Sequence, residues 1–128
     1  MGPDYPCPCC GYVVFGEPAG SDDICPICFW EDDLWQLRFV DSTGGANRPS
    51  LVEAQRNYAS FGCSEPRLLQ HVRPPSTFEQ RDPEWRPVNV ASDVETRARD
   101  VDYGRTYPSD HTTLYYWRSS YWRRLPVS

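Results

Sequence analysis

The sequence predicts a small α+β fold held together by a metal ion. Two Cys-x-x-Cys pairs, Cys7/Cys10 and Cys25/Cys28, lie 14 residues apart near one end of the chain. A clearly signposted helix begins at Ser50, after short apolar runs that read as strands. The apolar fraction is only 39%, mean hydropathy is −0.66, and 13 prolines and eight glycines break up the backbone. A chain of 128 residues with so modest a core gains most from an internal staple.

Two thiolates two residues apart can bind one tetrahedral ion from a single turn, and a second such turn completes the shell. Cys7, Cys10, Cys25 and Cys28 are therefore the expected metal ligands. Pro8 and Pro26 follow the first cysteine of each pair, where a fixed φ presets a turn. Gly11 follows Cys10 and can take φ > 0, whereas Phe29 stands at the matching place after Cys28. The second turn is thus expected to differ from the first and to lead into a helical turn, with Glu31, Asp32 and Asp33 at its N-terminal end. Residues 12–15 read as a strand, residues 16–23 as a turn, and Ile24 as the start of a return strand, giving a metal-closed hairpin. Cys9 is not expected to be a ligand, because x-one spacing with Cys7 would splay the sulfurs.

The CxxCGY turn, the Gly/Asp loop and the CPxC turn resemble rubredoxin and the wider zinc ribbons; a treble-clef-like arrangement is the alternative. Extended to YPCPCCGY, ICPICFWEDD and GGANRPSLVEAQRNYASFG, the pattern resembles the bacterial CPCC family of cysteine-rich proteins over about residues 4–87. That resemblance implies a cysteine-rich metal-binding protein and leaves the tail undescribed.

Residues 29–40 carry Phe29, Trp30, Trp35 and Phe39, which are expected to cover the metal site and form core. Residues 41–47 form a Gly-rich turn without the Lys-Ser/Thr ending of a phosphate loop. Ser50 and Glu53 make a capping box; Leu51, Ala54, Tyr58 and Phe61 share one helix face, and Gly62 suits the C′ position. Cys63 reads as a small buried residue, with a fifth ligand or a reactive thiol as the alternatives.

Residues 68–72 are expected to form a short helix or strand, and residues 73–87 an extended wrap anchored by Phe78 and Trp85. Residues 88–104 read as a linker or loose helix. Asp110 could cap a helix over residues 111–124, with Arg118, Arg123 and Arg124 on its basic face; a strand over residues 114–117 is the alternative. The expected organisation is a metal module (1–40), a helix and wrap packed on it as one domain (41–87), and an Arg/aromatic extension (88–128).

Charge narrows the function. Residues 1–35 hold seven acids and no base, and four thiolates around a divalent ion add two more negative charges. Such a surface repels nucleic-acid phosphate, so nucleic acid is an unlikely partner there. The 13 basic residues are all arginine, which fits a GC-rich genome. No apolar run has membrane-spanning length and the N-terminus has no signal-peptide core, so a cytoplasmic location is expected. There, CxxC pairs favour metal over disulfides. His71 and His111 lack ligand spacing, and no nucleophile–base pattern stands out; Cys9 would be the most plausible nucleophile of an enzyme. The leading expectation is a non-enzymatic module with structural zinc that binds a protein partner and no small-molecule substrate. A rubredoxin-like electron carrier holding iron and a nucleic-acid-binding zinc ribbon are the alternatives.

Overall fold

A computed structural model describes residues 3–124. It is a small α+β arrangement built round a cluster of cysteines. Strand β1 (Tyr5–Pro6) pairs antiparallel with β2 (Val13–Phe15), Tyr5 opposite Phe15 and Pro6 opposite Val13. Residues 80–82 extend this ladder: Val13 N–H donates to the Gln80 carbonyl at 2.9 Å and Asp82 N–H to the Gly11 carbonyl at 2.8 Å.

This corrects the expected hairpin. Residues 12–15 do not pair with a strand at Ile24; Ile24 bridges Glu31 instead. Each Cys-x-x-Cys turn closes its own short antiparallel ladder, because the chain reverses within the turn itself and brings its two flanks side by side.

Helix α1 (Leu34–Arg38) starts at Asp33, whose carboxylate accepts from Gln36 N–H at 3.0 Å. Helix α2 (Leu51–Phe61) begins as its sequence predicts, with Ser50 Oγ accepting from Glu53 N–H, and ends at Gly62 with φ 81°. Its buried face is largely the expected one, with Tyr58 also packed against the core, but Gln55 joins it and Phe61 leaves it. Leu51, Ala54 and Gln55 are buried, while Phe61 is exposed. Gln55 enters the interior because its amide has partners there.

The region after α2 is largely irregular, with a 3₁₀ turn at Pro66–His71. Phe78 does not anchor the wrap: it is 92% exposed, and Trp85 alone packs inward. Residues 88–104 are mostly exposed and irregular, as a linker would be, but they are anchored at one point. Asp93 is fully buried, accepting from Arg86, Arg124 and the Asn89 N–H.

The expected helix over residues 111–124 is replaced by 3₁₀ turns at His111–Leu114 and Trp122–Arg124. Asp110 does cap the first, accepting from Thr112 N–H at 3.0 Å. The physical reason lies in the run Tyr115, Tyr116, Trp117, all buried. A helix turns successive side chains about 100° apart and cannot bury three in a row against one surface. An irregular backbone can, and Leu114, Tyr115, Tyr116, Trp117 and Tyr121 join the same core as the cysteines.

Candidate metal centre

Each cysteine pair sits in a knuckle whose backbone does the positioning. In the first, Gly11 N–H donates to the Cys7 carbonyl at 2.7 Å and Cys7 N–H to the Tyr12 carbonyl at 2.8 Å. In the second, Phe29 N–H donates to the Cys25 carbonyl and Cys25 N–H to the Trp30 carbonyl, both at 2.9 Å. The two turns are the same construction, which corrects the expectation that Phe29 makes the second one different. Gly11 has φ 81° and Phe29 has φ 67°, so the phenylalanine adopts the left-handed conformation that glycine takes freely. For a bulky residue that conformation costs on the order of 1–3 kcal/mol.

The knuckles face each other. Cys7 Sγ lies 3.6 Å from Cys28 Sγ, and Cys10 Sγ lies 3.7 Å from Cys25 Sγ. All four sulfurs fall within 4.8 Å of one another and every one is buried. A tetrahedron of thiolates with metal–sulfur bonds of about 2.3 Å has sulfur–sulfur edges of about 3.8 Å. The four cysteines could therefore hold a metal ion. Cys9 and Cys63 stand outside the group: Cys9 is fully buried, and Cys63 Sγ donates to the Glu65 carbonyl at 3.1 Å.

Electrostatics point the same way. Burial pushes the Cys7 and Cys28 thiols up from their ordinary range, and burial does the same to Cys9. Cys25 moves down instead, because Cys10, Cys28 and Cys7 all donate toward its sulfur. Buried sulfurs this close cannot all carry charge unless a cation offsets it.

The first knuckle is roofed over. The Pro8 carbonyl accepts from Gln55 Nε2 and from Trp85 Nε1, each at 3.0 Å, and the Cys10 carbonyl accepts from Arg81 Nε at 2.9 Å. A Cβ on Gly11 would stand 2.6 Å from the Trp85 ring. The second knuckle is braced by Ser64 N–H, which donates to the Cys28 carbonyl at 2.8 Å, and by Asn47, whose side chain bonds both the N–H and the carbonyl of Glu31 at 2.9 Å.

The model of the cysteine-rich CPCC family matches residues 5–79, more than half of the chain. The chain belongs to that family. No curated protein matches it. Both knuckles and α2 of this CPCC protein fall inside the matched stretch, whereas Arg81, Trp85 and the aromatic tail lie beyond it.

The aromatic residues expected to cover the site divide. Trp30 and Phe39 are fully buried, while Phe29 and Trp35 are half-buried. His71 stacks on Phe29 with ring centroids 5.0 Å apart, His111 opens a 3₁₀ turn, and neither joins the cysteine group. Sequence reasoning missed the buried polar residues that tie the tail down. Arg38 makes two bonds to Glu95, at 3.0 and 2.9 Å, amid four aromatic rings whose centroids lie 4.7 to 5.2 Å away. Asp82 accepts from Trp117 Nε1 at 2.9 Å and from Arg118 at 3.0 Å. No local sequence signal marks these pairs, which span 35 to 57 residues.

Proposed function

We propose that this CPCC protein is a non-enzymatic module in which Cys7, Cys10, Cys25 and Cys28 hold one structural zinc ion, and that it works by binding a protein partner in a reducing, cytoplasmic setting. The observation that carries the metal reading is the match between two facing, like-built knuckles and a tetrahedral sulfur shell. With four protein thiolates the shell is closed, leaving no position for water or substrate. When bound, the ion would neutralise the buried sulfurs and tie the two knuckles together; the chain's own role is to present four sulfurs at preset spacing.

The tail arginines weaken the nucleic-acid alternative. Arg118 pairs with Asp82 and Arg124 with Asp93, so these guanidinium groups serve the fold itself. Among the described residues no helix is long and apolar enough to cross a membrane. The knuckle pair is also the arrangement that a rubredoxin-like iron site requires, and sulfur ligands alone do not choose between the metals.

Elemental analysis with a visible absorption spectrum tests the metal. One colourless zinc per chain is expected; an iron charge-transfer spectrum with a reversible one-electron wave would transfer the reading to electron carriage. Chelation should remove hydrogen-exchange protection at Cys7, Gly11 and Val13, because metal binding and local folding are coupled. Unchanged protection at these amides after complete metal removal would contradict a structural role.

A further inference from the structure

Beside the second knuckle lies a small pocket of about 140 Å³, walled by the apolar Ile24, Phe29, Ala46 and Leu68 and lined also by Glu31, Glu65 and Arg67. Small-molecule sites usually run from roughly 300 to 1,000 Å³, so this one suits a single long side chain better than a cofactor. We propose that it receives an arginine side chain from a flexible segment of a partner protein. The proposal rests on the protein-interaction reading above and names the partner's chemistry.

Three observations carry it. The first is the unusual backbone of Phe29. The first knuckle uses glycine at φ 81°, yet the second holds a phenylalanine at φ 67°, and that strain sets an aromatic ring in the pocket wall. Strained residues persist where the surroundings fix them, and His71 stacked at 5.0 Å does so here. The second is charge. Among the described residues, no arginine or histidine nitrogen comes within salt-bridge distance of Glu31, Asp22 or Asp23, which lie on the two segments flanking this knuckle. Elsewhere the chain spends its arginines on its acids: Arg38 on Glu95, Arg86 on Asp93, Arg118 on Asp82. Even Glu65, across the pocket, is held by Arg67, which leaves Glu31 as the carboxylate free to take a newcomer. The third is rigidity. Asn47 clamps the Glu31 backbone at both N–H and carbonyl, and Gln36 in turn holds Asn47, so the carboxylate is carried on a fixed strand.

Arginine fits this set better than lysine. Its planar guanidinium can lie against an aromatic face while pairing with a carboxylate, and its stem can cover Ile24, which is 47% exposed.

The test uses the full, metal-loaded chain and a capped pentapeptide with one arginine between leucines, followed through backbone amide shifts. Saturable shifts at Ile24, Phe29 and Glu31 are expected, with a dissociation constant on the order of 1 mM that weakens with salt. The same peptide with glutamate in place of arginine should produce none. Glu31→Gln should weaken binding roughly five- to tenfold, and Phe29→Gly, which relieves the backbone, roughly two- to fivefold. Metal content is measured on every sample. A metal-loaded wild-type chain without saturable shifts overturns the pocket and leaves the metal reading standing. A chain that binds the peptide but carries no metal does the reverse. Equal binding of the glutamate peptide, or full affinity in both variants, also overturns the pocket.

Discussion

The two knuckles share a backbone and differ in what surrounds them. Around the first, Gln55, Arg81 and Trp85 take up carbonyls of the turn, and the indole presses so close that only glycine fits at position 11. Around the second, Asn47 and Ser64 brace the backbone, and the flanking segments carry Phe29, the exposed Ile24 and acids that have no ion-pair partner among the described residues. One metal-binding turn is thus met by two sequence solutions. Glycine serves where a neighbour must sit on the turn, and a strained aromatic serves where the turn borders an open pocket. The lesson is that a residue's position in a motif does not give its role; the contacts made on its outer side do.

That contrast can be broken at its base by taking away a sulfur both knuckles depend on. Cys28→Ser should lose the metal and with it the cooperative unfolding transition, since a structural zinc contributes on the order of 10 kcal/mol to a small domain. Thermal unfolding followed by tryptophan fluorescence would show a broad, non-cooperative trace. A sharp transition near the wild-type midpoint would contradict it.

A smaller effect separates the knuckles. Gly11→Ala must both adopt φ 81° and push Trp85 aside, which should cost about 3 kcal/mol in denaturant unfolding while metal content stays at one. A cost below about 1 kcal/mol would mean the roof is looser than its hydrogen bonds suggest.

The exit strand of the second knuckle offers a pH test through Asp32. Its carboxyl is almost wholly buried, accepts from Ser21 N–H and Oγ on one oxygen, and finds no partner for the other. Burial raises its pKa to about 6. A carboxyl that holds its proton more tightly when folded stabilises the fold in the protonated form, and that contribution drains away as pH rises from about 4 to about 6. Asp32→Asn should therefore be more stable than the wild type by on the order of 2 kcal/mol at pH 7.5, with the advantage shrinking at pH 5. Paired denaturation curves at the two pH values decide it; a constant difference would remove Asp32 from the account.

The smallest effect sharpens the comparison most. Phe29→Gly should leave stability within about 1 kcal/mol of wild type, because backbone relief offsets the lost stacking on His71. A strong loss of stability, as at Gly11, would make the two turns equivalent in surroundings as well as in backbone.

Much of this design can be read from the sequence where the signal is local. The paired cysteines, the Ser50 cap and the Gly62 stop all depend on residues within a few positions of one another. Strand pairing is not legible locally, because both pairings of residues 12–15 satisfy the same apolar pattern; only the closure of each knuckle on itself chooses between them. The tail was harder still. Its aromatic run has a spacing a helix could use, and nothing nearby tells that Asp82, Glu95 and Gln55, far off in the chain, would satisfy Trp117, Arg38 and Tyr116. Buried polar partners of that kind look like ordinary surface residues until the fold brings them together.

The central claim is that four sulfurs from two matched turns form one centre and that the fifth, Cys9, does not belong to it. Metal stoichiometry of purified wild type, Cys9→Ala and Cys10→Ala tests it most directly. The account predicts one ion per chain in the wild type and in Cys9→Ala, and none held stably in Cys10→Ala. A folded wild type without metal, or a Cys9→Ala chain that loses its ion while Cys10→Ala keeps it, would contradict it.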